Sequence, residues 1–315
     1  MERRPVYYAT RISVVTGLFA AGWVAFALVG DSWWQILVAV FQAVTFGQVA
    51  LLAHDLAHGQ VFPSRRNSAI AGLLVGNLGI GLSYGWWQDK HTRHHANPNH
   101  EDHDPDVAPD VLLWSIKQAE ASRGLPRLIG RWQAFLFFPL LTLEGLNLHI
   151  SSVRALRRDS LKNRMAEGLL LLAHFVIYLG GVFAVLPVGK AVVFLLVHQA
   201  FFGVYLGCTF APNHKGMPVL TAEDELDFLR RQVLTSRNVR GGRVVNTALG
   251  GLNYQIEHHL FPGMPTPNLR KAQPLVREHC ESLGVAYVEC GLLASWGQAM
   301  KHLHEVGAPL RARRG

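Results

Sequence analysis

Residues 12–53 read ISVVTGLFAAGWVAFALVG, then D, then SWWQILVAVFQAVTFGQVALLA: two stretches without a charged side chain, 12–30 and 32–53, divided by Asp31 alone. Each is close to the ~20 apolar residues with which an α-helix crosses ~30 Å of hydrocarbon. So short a link forces a helical hairpin, and both outer ends of the pair emerge on one side of the membrane. Arg3, Arg4 and Arg11 stand at those ends, and the enrichment of Lys and Arg in cytoplasmic segments marks that side as cytoplasmic. Residues 1–5 are too few, and run too directly into a full-length span, to form a cleaved signal peptide; an uncleaved anchor is compatible.

The pattern recurs at 168–186 and 191–211, joined by the short link 187–190. A basic segment with Arg154, Arg157, Arg158, Lys162 and Arg164 precedes this second hairpin, and an Arg-rich polar tail follows it. Two further apolar segments fit poorly as spans. Gly72, Gly76, Asn77, Gly79, Gly81 and Gly85 interrupt 68–86, and Pro139, Glu144, Asn147 and His149 interrupt 132–150. Both read as re-entrant or interface-lying helices. The expected fold is therefore all-α and integral to the membrane. Four transmembrane helices in two hairpins carry a cytoplasmic helical cap, built from 54–167 and 212–315, with two interfacial or re-entrant helices. The whole of 1–315 reads as one domain, and 310–315 as a frayed basic end.

Composition supports lipid as the solvent. Half of the 315 residues are hydrophobic and 17% are charged, against about 25% charged in soluble domains. Disorder and fibrous repeats are excluded. Three cysteines, Cys208, Cys280 and Cys290, with no C-x-x-C, give poor support to a disulfide scaffold, a zinc ribbon or an iron–sulfur cluster. The net charge of +8 flanks apolar runs, which favours anionic lipid over nucleic acid as the partner.

The unusual number is 16 histidines. At the end of the second span stands His54-Asp55-Leu56-Ala57-His58, a pair one helical turn apart. Alone it is a weak signal for a metal, and it lacks the Glu of the zincin pattern. The second box is His91-Thr92-Arg93-His94-His95, and the third is Gln255-Ile256-Glu257-His258-His259. His214 lies just past the last span. Neutral imidazole suits iron and zinc, and these clustered rings exceed what buried structural histidines would require.

The order His-x3-His, His-x2-His-His, Gln-x2-His-His, set between and after membrane hairpins, resembles the integral-membrane fatty acid desaturases. The run Asn253-Tyr254-Gln255-Ile256-Glu257-His258-His259-Leu260-Phe261-Pro262 is similar to the branch whose third box opens with Gln, that of front-end acyl-lipid and bacterial linoleoyl-CoA-type desaturases. The resemblance implies two non-haem irons on the cytoplasmic face, with O2 as co-substrate. The matching ligand positions are His54, His58, His91, His94, His95, His258 and His259, with His214 as an additional ligand. Gln255 stands where other branches place His, and its contact with iron stays open. An acyl substrate on CoA, carrier protein or phospholipid is implied. So are an external donor, ferredoxin or cytochrome b5 with its reductase, and residence in the membrane, expected to be a bacterial cell membrane. No nucleic-acid partner is expected.

Elementary chemistry points the same way. Removing two hydrogens from unactivated methylenes needs an oxidant made from O2 and a metal that exchanges electrons, which zinc cannot do. The Glu-x-x-His motif of carboxylate di-iron bundles is absent from the sequence. A related hydroxylase, epoxygenase or acetylenase shares this chemistry. A b-type cytochrome would use His174 and His198, which fall within spans, and a zinc intramembrane protease would use His54 and His58.

Among other residues, Asp55, Asp104 and Asp106 are candidate partners for ligand imidazoles. His100 and His103 read as solvated loop residues, His174 and His198 as hydrogen-bonding partners of neighbouring helices, and His149, His279, His302 and His304 as structural or surface groups. Trp33, Trp34, Trp86 and Trp87 read as interfacial anchors. Arg237, Arg240, Arg243, Arg270 and Lys271 read as contacts for a phosphate-bearing group or for anionic lipid.

Overall fold

In the computed structural model, residues 2–312 are described. The first half of the chain forms α1 (Pro5–Val29), α2 (Gln35–Ala57), α3 (Arg65–Leu73), a π-helical turn (Leu74–Gly79), α4 (Tyr84–Ala96), α5 (Ile116–Ala121), α6 (Gly124–Gly130), α7 (Gln133–Leu141) and α8 (Glu144–Ala155). Then come α9 (Arg164–Val185), α10 (Val188–His214), α11 (Phe228–Leu234), β1 (Asn238–Arg240), α12 (Arg243–Ala248) and α13 (Gln255–Leu260). The last elements are α14 (Thr266–Ser282), β2 (Glu289–Gly291), α15 (Leu292–Val306) and α16 (Ala308–Ala312).

Helices α1, α2, α9 and α10 are long and apolar enough to cross a membrane, and each expected span overlaps one of them. The helices outrun the apolar stretches because a backbone leaving hydrocarbon keeps its hydrogen bonds by continuing the helix. Thus α2 runs on through His54 to Ala57, and α10 runs through Pro212 to His214. Val14, Leu18, Val24 and Leu28 of α1, and Leu169, Leu172, Val176 and Ile177 of α9, are exposed, so lipid is the solvent that matches this surface. The chain is an all-α membrane protein.

The chain divides into two compact units. The first comprises the described residues of Met1–Asp89, with Leu141–Gly207 and Pro265–Pro267. Its apolar core joins Phe26 of α1, Val38 and Ala39 of α2, Tyr178 and Val182 of α9, and Phe194 of α10. The two hairpin tips meet where Lys190 Nζ binds Asp31 Oδ1 at 2.6 Å and lies over the Trp33 ring. Trp33 and Trp34 are exposed there, as anchors should be, whereas Trp86 is buried.

The two interrupted apolar segments are bent helix pairs. The chain turns through 113° between Gly79 and Tyr84, and through 70° between α7 and α8. A break at this depth frees backbone groups that water cannot reach, and polar side chains meet them. His174 Nδ1 lies 2.9 Å from the Leu78 carbonyl, and His149 Nε2 lies 3.1 Å from that of Ile80. Ser152 Oγ accepts from Ser83 N at 2.9 Å, and Asn77 Oδ1 accepts from Tyr84 N at 3.1 Å. Buried Glu167 of α9 ties the break together, accepting from Ser83 Oγ at 2.5 Å and from Asn77 Nδ2 at 3.0 Å. Gly81 makes the turn with φ +67°, and a Cβ there would stand 2.5 Å from His174 Cδ2. His149 and His174 are thus structural, and the second hairpin's His198 lies 2.7 Å from the Tyr178 hydroxyl.

Arg11, a marker of sidedness in the sequence, is paired in the structure. It lies inside α1, and its Nη1 binds Asp55 Oδ2 of α2 at 2.6 Å with both side chains nearly covered.

The second unit comprises Lys90–Leu140, Cys208–Met264 and the described residues of Asn268–Gly315. Short helices dominate it, with β1 and β2 paired in parallel, Asn238 opposite Glu289. One apolar cluster gathers Val233, Ile256, Cys280 and Val285. Another gathers Leu113, Ala119, Val306 and Leu310. Leu310 is therefore a packed residue of α16 and not part of a frayed end; 313–315 lie outside the described residues, as does Met1 of the 1–5 reading. Arg237 is also a correction. It is fully buried and binds the carbonyls of Pro212 (2.6 Å), Lys215 and Ser295 (3.3 Å) and the side chain of Gln298, so no lipid or phosphate can reach it. Arg240, Arg243, Arg270 and Lys271 remain exposed.

Candidate metal centre

Helical spacing delivers the second histidine box as a cluster. On α4, His91 and His95 are one turn apart with ring centroids at 4.5 Å, and His94 is 5.9 Å from His91. His214 ends α10, and the short helix α13 carries His258 and His259. These six imidazoles converge within the second unit. The nitrogens of His94, His214 and His259 lie within 4.8 Å of one another, as do those of His91, His95 and His258.

Hydrogen bonds assign the tautomers of the first group. His94 Nδ1 lies 2.9 Å from Asp104 Oδ2, which also accepts from Asn99 N at 2.7 Å. His214 Nδ1 lies 3.0 Å from the Thr235 carbonyl. His259 Nδ1 lies 2.9 Å from Gln232 Oε1, and the Gln232 amide is itself oriented, because its Nε2 donates to the His95 carbonyl at 3.0 Å. All three partners are acceptors, so each Nδ1 carries the proton and each Nε2 presents a lone pair.

Those lone pairs face one another. His94 Nε2 and His214 Nε2 are 3.3 Å apart, and His259 Nε2 is buried with no hydrogen-bond partner. Without protons between them, such atoms repel in a site closed to water. A cation held by the three nitrogens removes the repulsion and completes the ligand–acceptor pairs typical of metal-bound histidine. In the second group, His95 Nε2 is 3.0 Å from His91 Nε2 and 3.1 Å from His258 Nε2. An all-imidazole donor set of this kind fits iron, and equally other borderline divalent metals.

Residues 31–291 match the protein-family model for fatty acid desaturases. The chain belongs to the fatty acid desaturase family. It is 31% identical to an acyl-lipid (9-3)-desaturase of Physcomitrium patens, over 96% of this chain and 59% of the relative. It is 30% identical to a delta(5) fatty acid desaturase of Caenorhabditis elegans, over 91% of this chain and 66% of the relative. Fatty acid desaturase 3 of Homo sapiens is 31% identical, over 91% of this chain and 64% of its own length. The chain thus spans about three-fifths to two-thirds of the length of these relatives.

The electrostatics of this desaturase-family chain suit ligation. Burial, aided by the neighbouring imidazoles of His95 and His214, pushes His259 well below the usual histidine value, so the ring is neutral and free to bind. Burial also works against a charged His94, but the carboxylates of Asp104 and Asp106 outweigh it and raise its pKa. That pair stabilises positive charge on the ring, which a metal at Nε2 supplies in place of a proton. Asp106 is burdened by burial, yet Lys90, His94 and Lys215 hold it below the usual carboxylate range.

The first histidine box lies in the first unit. His54 and His58 have ring centroids 4.6 Å apart, and His54 Nδ1 is 3.3 Å from Asp55 Oδ1. Burial, with His54 adding to it, lowers the pKa of His58 well below its usual value. Gln255 of the third box lies in the second unit beside His214, its Nε2 2.9 Å from His214 Nε2. His100 is partly covered while His103, His279 and His304 are exposed. His302 of α15 donates from Nε2 to the Trp114 carbonyl at 3.0 Å.

Sequence reasoning singled out Asp104 but missed Gln232, Thr235 and Asn213. Gln232 and Asn213 carried no spacing signal, and Thr235 acts through its backbone carbonyl, which no side chain announces. Lys215, directly after His214, was also missed; its Nζ binds the Asp106 carbonyl at 2.8 Å and lies over the Trp114 ring at 4.1 Å.

Proposed function

We propose that the chain is an O2-dependent acyl desaturase, which introduces a cis double bond into a fatty acyl chain carried on CoA, carrier protein or a membrane lipid. The observation that carries this reading is the inward convergence of three Nε2 lone pairs, from His94, His214 and His259, each with its Nδ1 pinned by an acceptor. Together with His91, His95 and His258, and with the His54/His58 pair given an iron-binding role of its own, they supply ligands for two irons. Iron held there would supply what zinc cannot, a route for two external electrons to O2, which with two protons and the two hydrogens removed from adjacent methylenes forms two waters.

The protein's part is arrangement. Asp104, the Thr235 carbonyl and Gln232 hold three rings at fixed tautomer and angle, so the three Nε2 atoms are turned toward a common metal. Burial keeps His259 neutral and keeps bulk water from the site. Electrons come from a separate donor, a ferredoxin or cytochrome b5 with its reductase. The imidazole-bearing ends of the spans face the cytoplasm, in keeping with the basic segments beside them.

The test is expression in a host of known lipid content, with gas chromatography–mass spectrometry of the acyl chains and iron determination on the purified protein. A new alkene that disappears in His94→Ala and His258→Ala, both still inserted in the membrane, is expected. An oxygenated product without a new alkene refutes desaturation in favour of a hydroxylase or epoxygenase. Full turnover in either variant refutes the ligand assignment.

A further inference from the structure

Gln255 is 3% exposed, and its two amide ends face different partners. Its Nε2 lies 2.9 Å from His214 Nε2, and its Oε1 lies 3.2 Å from Asn213 Nδ2. Asn213 is fully buried, and the same Nδ2 lies 3.2 Å from the Thr209 carbonyl one turn back along α10. A carbonyl oxygen only accepts. The Thr209 carbonyl therefore turns the Asn213 amide so that its N–H2 faces both acceptors, and Asn213 in turn directs the Gln255 oxygen toward itself.

The opposite setting of Gln255 would oppose two N–H2 groups. Rotating Asn213 to relieve that would press its oxygen against the Thr209 carbonyl. Either arrangement loses a buried hydrogen bond and strands a polar atom out of reach of water, which is costly. The end of Gln255 that reaches the His94, His214 and His259 nitrogens is thus the nitrogen. An amide nitrogen offers protons and no lone pair, so it cannot ligate a cation there.

From this geometry we propose that Gln255 is not an iron ligand but the hydrogen-bond donor of the His94/His214/His259 site, holding a small exogenous anion or water beside the metal. The proposal rests on the iron-binding reading of that site. Before metal binds, the N–H has the His214 lone pair as its acceptor. Once that lone pair is engaged by a cation, the N–H keeps its position and direction, because Asn213 and Thr209 hold the other end of the amide, and it is available to a ligand that enters next to the metal. Gln255 is in this sense a positioning residue whose effect shows in ligand binding and not in metal retention.

The experiment uses the full chain purified in detergent and loaded with iron, with azide as the probe. Iron per chain is measured by mass spectrometry, and azide affinity by optical titration, for the unaltered protein, Gln255→Ala, Gln255→Leu and His214→Ala. The leucine variant preserves most of the side-chain volume, so that the test survives if the alanine variant does not fold. The expected result is unchanged iron content in the Gln255 variants with azide affinity reduced about tenfold or more, the loss of one hydrogen bond to a charged group, while His214→Ala loses iron. Gln255 variants that lose iron as His214→Ala does would make Gln255 a ligand and overturn the proposal. Unchanged azide affinity would overturn its donor role. Full iron retention by His214→Ala would overturn the iron reading of the site, and this proposal with it.

Discussion

The Arg11–Asp55 pair offers a test in which the structure sets the magnitude. The two charges sit 2.6 Å apart with side chains 9% and 3% exposed. At an effective dielectric of 20, Coulomb's law gives an attraction of roughly 6 kcal/mol at that distance, much of it offset by the cost of taking both ions out of water. Replacing Arg11 by Met keeps the apolar stem but strands the Asp55 carboxylate, and breaking a buried pair in this way costs about 3–5 kcal/mol. Asp55→Asn strands the guanidinium and costs a similar amount. The double variant Arg11→Met/Asp55→Asn removes both charges, and its cost should fall to about 1 kcal/mol, since a neutral pair of similar volume often does as well as an ion pair.

Thermal unfolding of the purified chain in one detergent, followed by intrinsic tryptophan fluorescence, reads the cycle directly. At about 2 °C per kcal/mol for a chain of this size, each single variant should melt roughly 5–10 °C lower, and the double variant within about 3 °C of the unaltered protein. Additive losses, with a coupling energy below about 0.5 kcal/mol, would show that the two charges are not paired and that Arg11 is only a marker of membrane sidedness.

Three further outcomes follow from the same coordinates. Gly81→Ala should destabilise the first unit by about 2 kcal/mol or more, because the added methyl would stand 2.5 Å from His174 Cδ2 at a φ of +67°; an unchanged melting temperature would contradict the turn. Burial, with Lys215 and Arg237 adding to it, lowers the pKa of His302, so the folded ring stays neutral while the unfolded ring takes up a proton below about pH 6.5. Stability carried by this group is therefore lost as pH falls, and His302→Leu should show a smaller drop in melting temperature between pH 7 and pH 5 than the parent; equal slopes would refute it. Finally, stripping iron with a chelator should destabilise the chain, by about 4 kcal/mol per site if free metal had stood at a thousand times its dissociation constant, and the loss of melting temperature should be smaller in a His94→Ala/His214→Ala variant, which keeps only the His91/His95/His258 group; an equal loss would refute metal binding at His94 and His214.

Much of the fold could be read from residues 12–53 because a helical hairpin in lipid is specified locally, by charge-free length on either side of Asp31. The break within 68–86 was legible for a different reason. Six glycines and asparagines interrupt an apolar run there, and the structure answers them with Asn77, Ser83, Glu167, His149 and His174. What could not be read was which distant side chain closes the break, since Glu167 lies 84 residues from the Ser83 it binds. The partner of Arg11 was hidden for the same reason, Asp55 being 44 residues away. Arg237 looked like one of several tail arginines until the carbonyls of Pro212, Lys215 and Ser295 enclosed it.

The histidines show where local spacing stops being informative. His174 has its Nδ1 against the Leu78 carbonyl, just as His214 has its Nδ1 against that of Thr235. Both rings are buried, and both leave Nε2 as the other face. Pinning of Nδ1 therefore does not separate a structural histidine from a ligand. The surroundings of Nε2 do: around His174, Gly81 leaves the room that a Cβ would take 2.7 Å from Nε2, whereas His214 Nε2 has His94 Nε2 at 3.3 Å and Gln255 Nε2 at 2.9 Å. One ring fills a gap in packing, and the other faces the His94 lone pair, which repels its own until a cation joins them. The box spacings on α4 and α13 bring the second condition about because a helix turn sets neighbouring rings on one locus, whereas His149, His174 and His198 come one each from α8, α9 and α10, and the nearest approach of the first two is a ring stack at 6.1 Å.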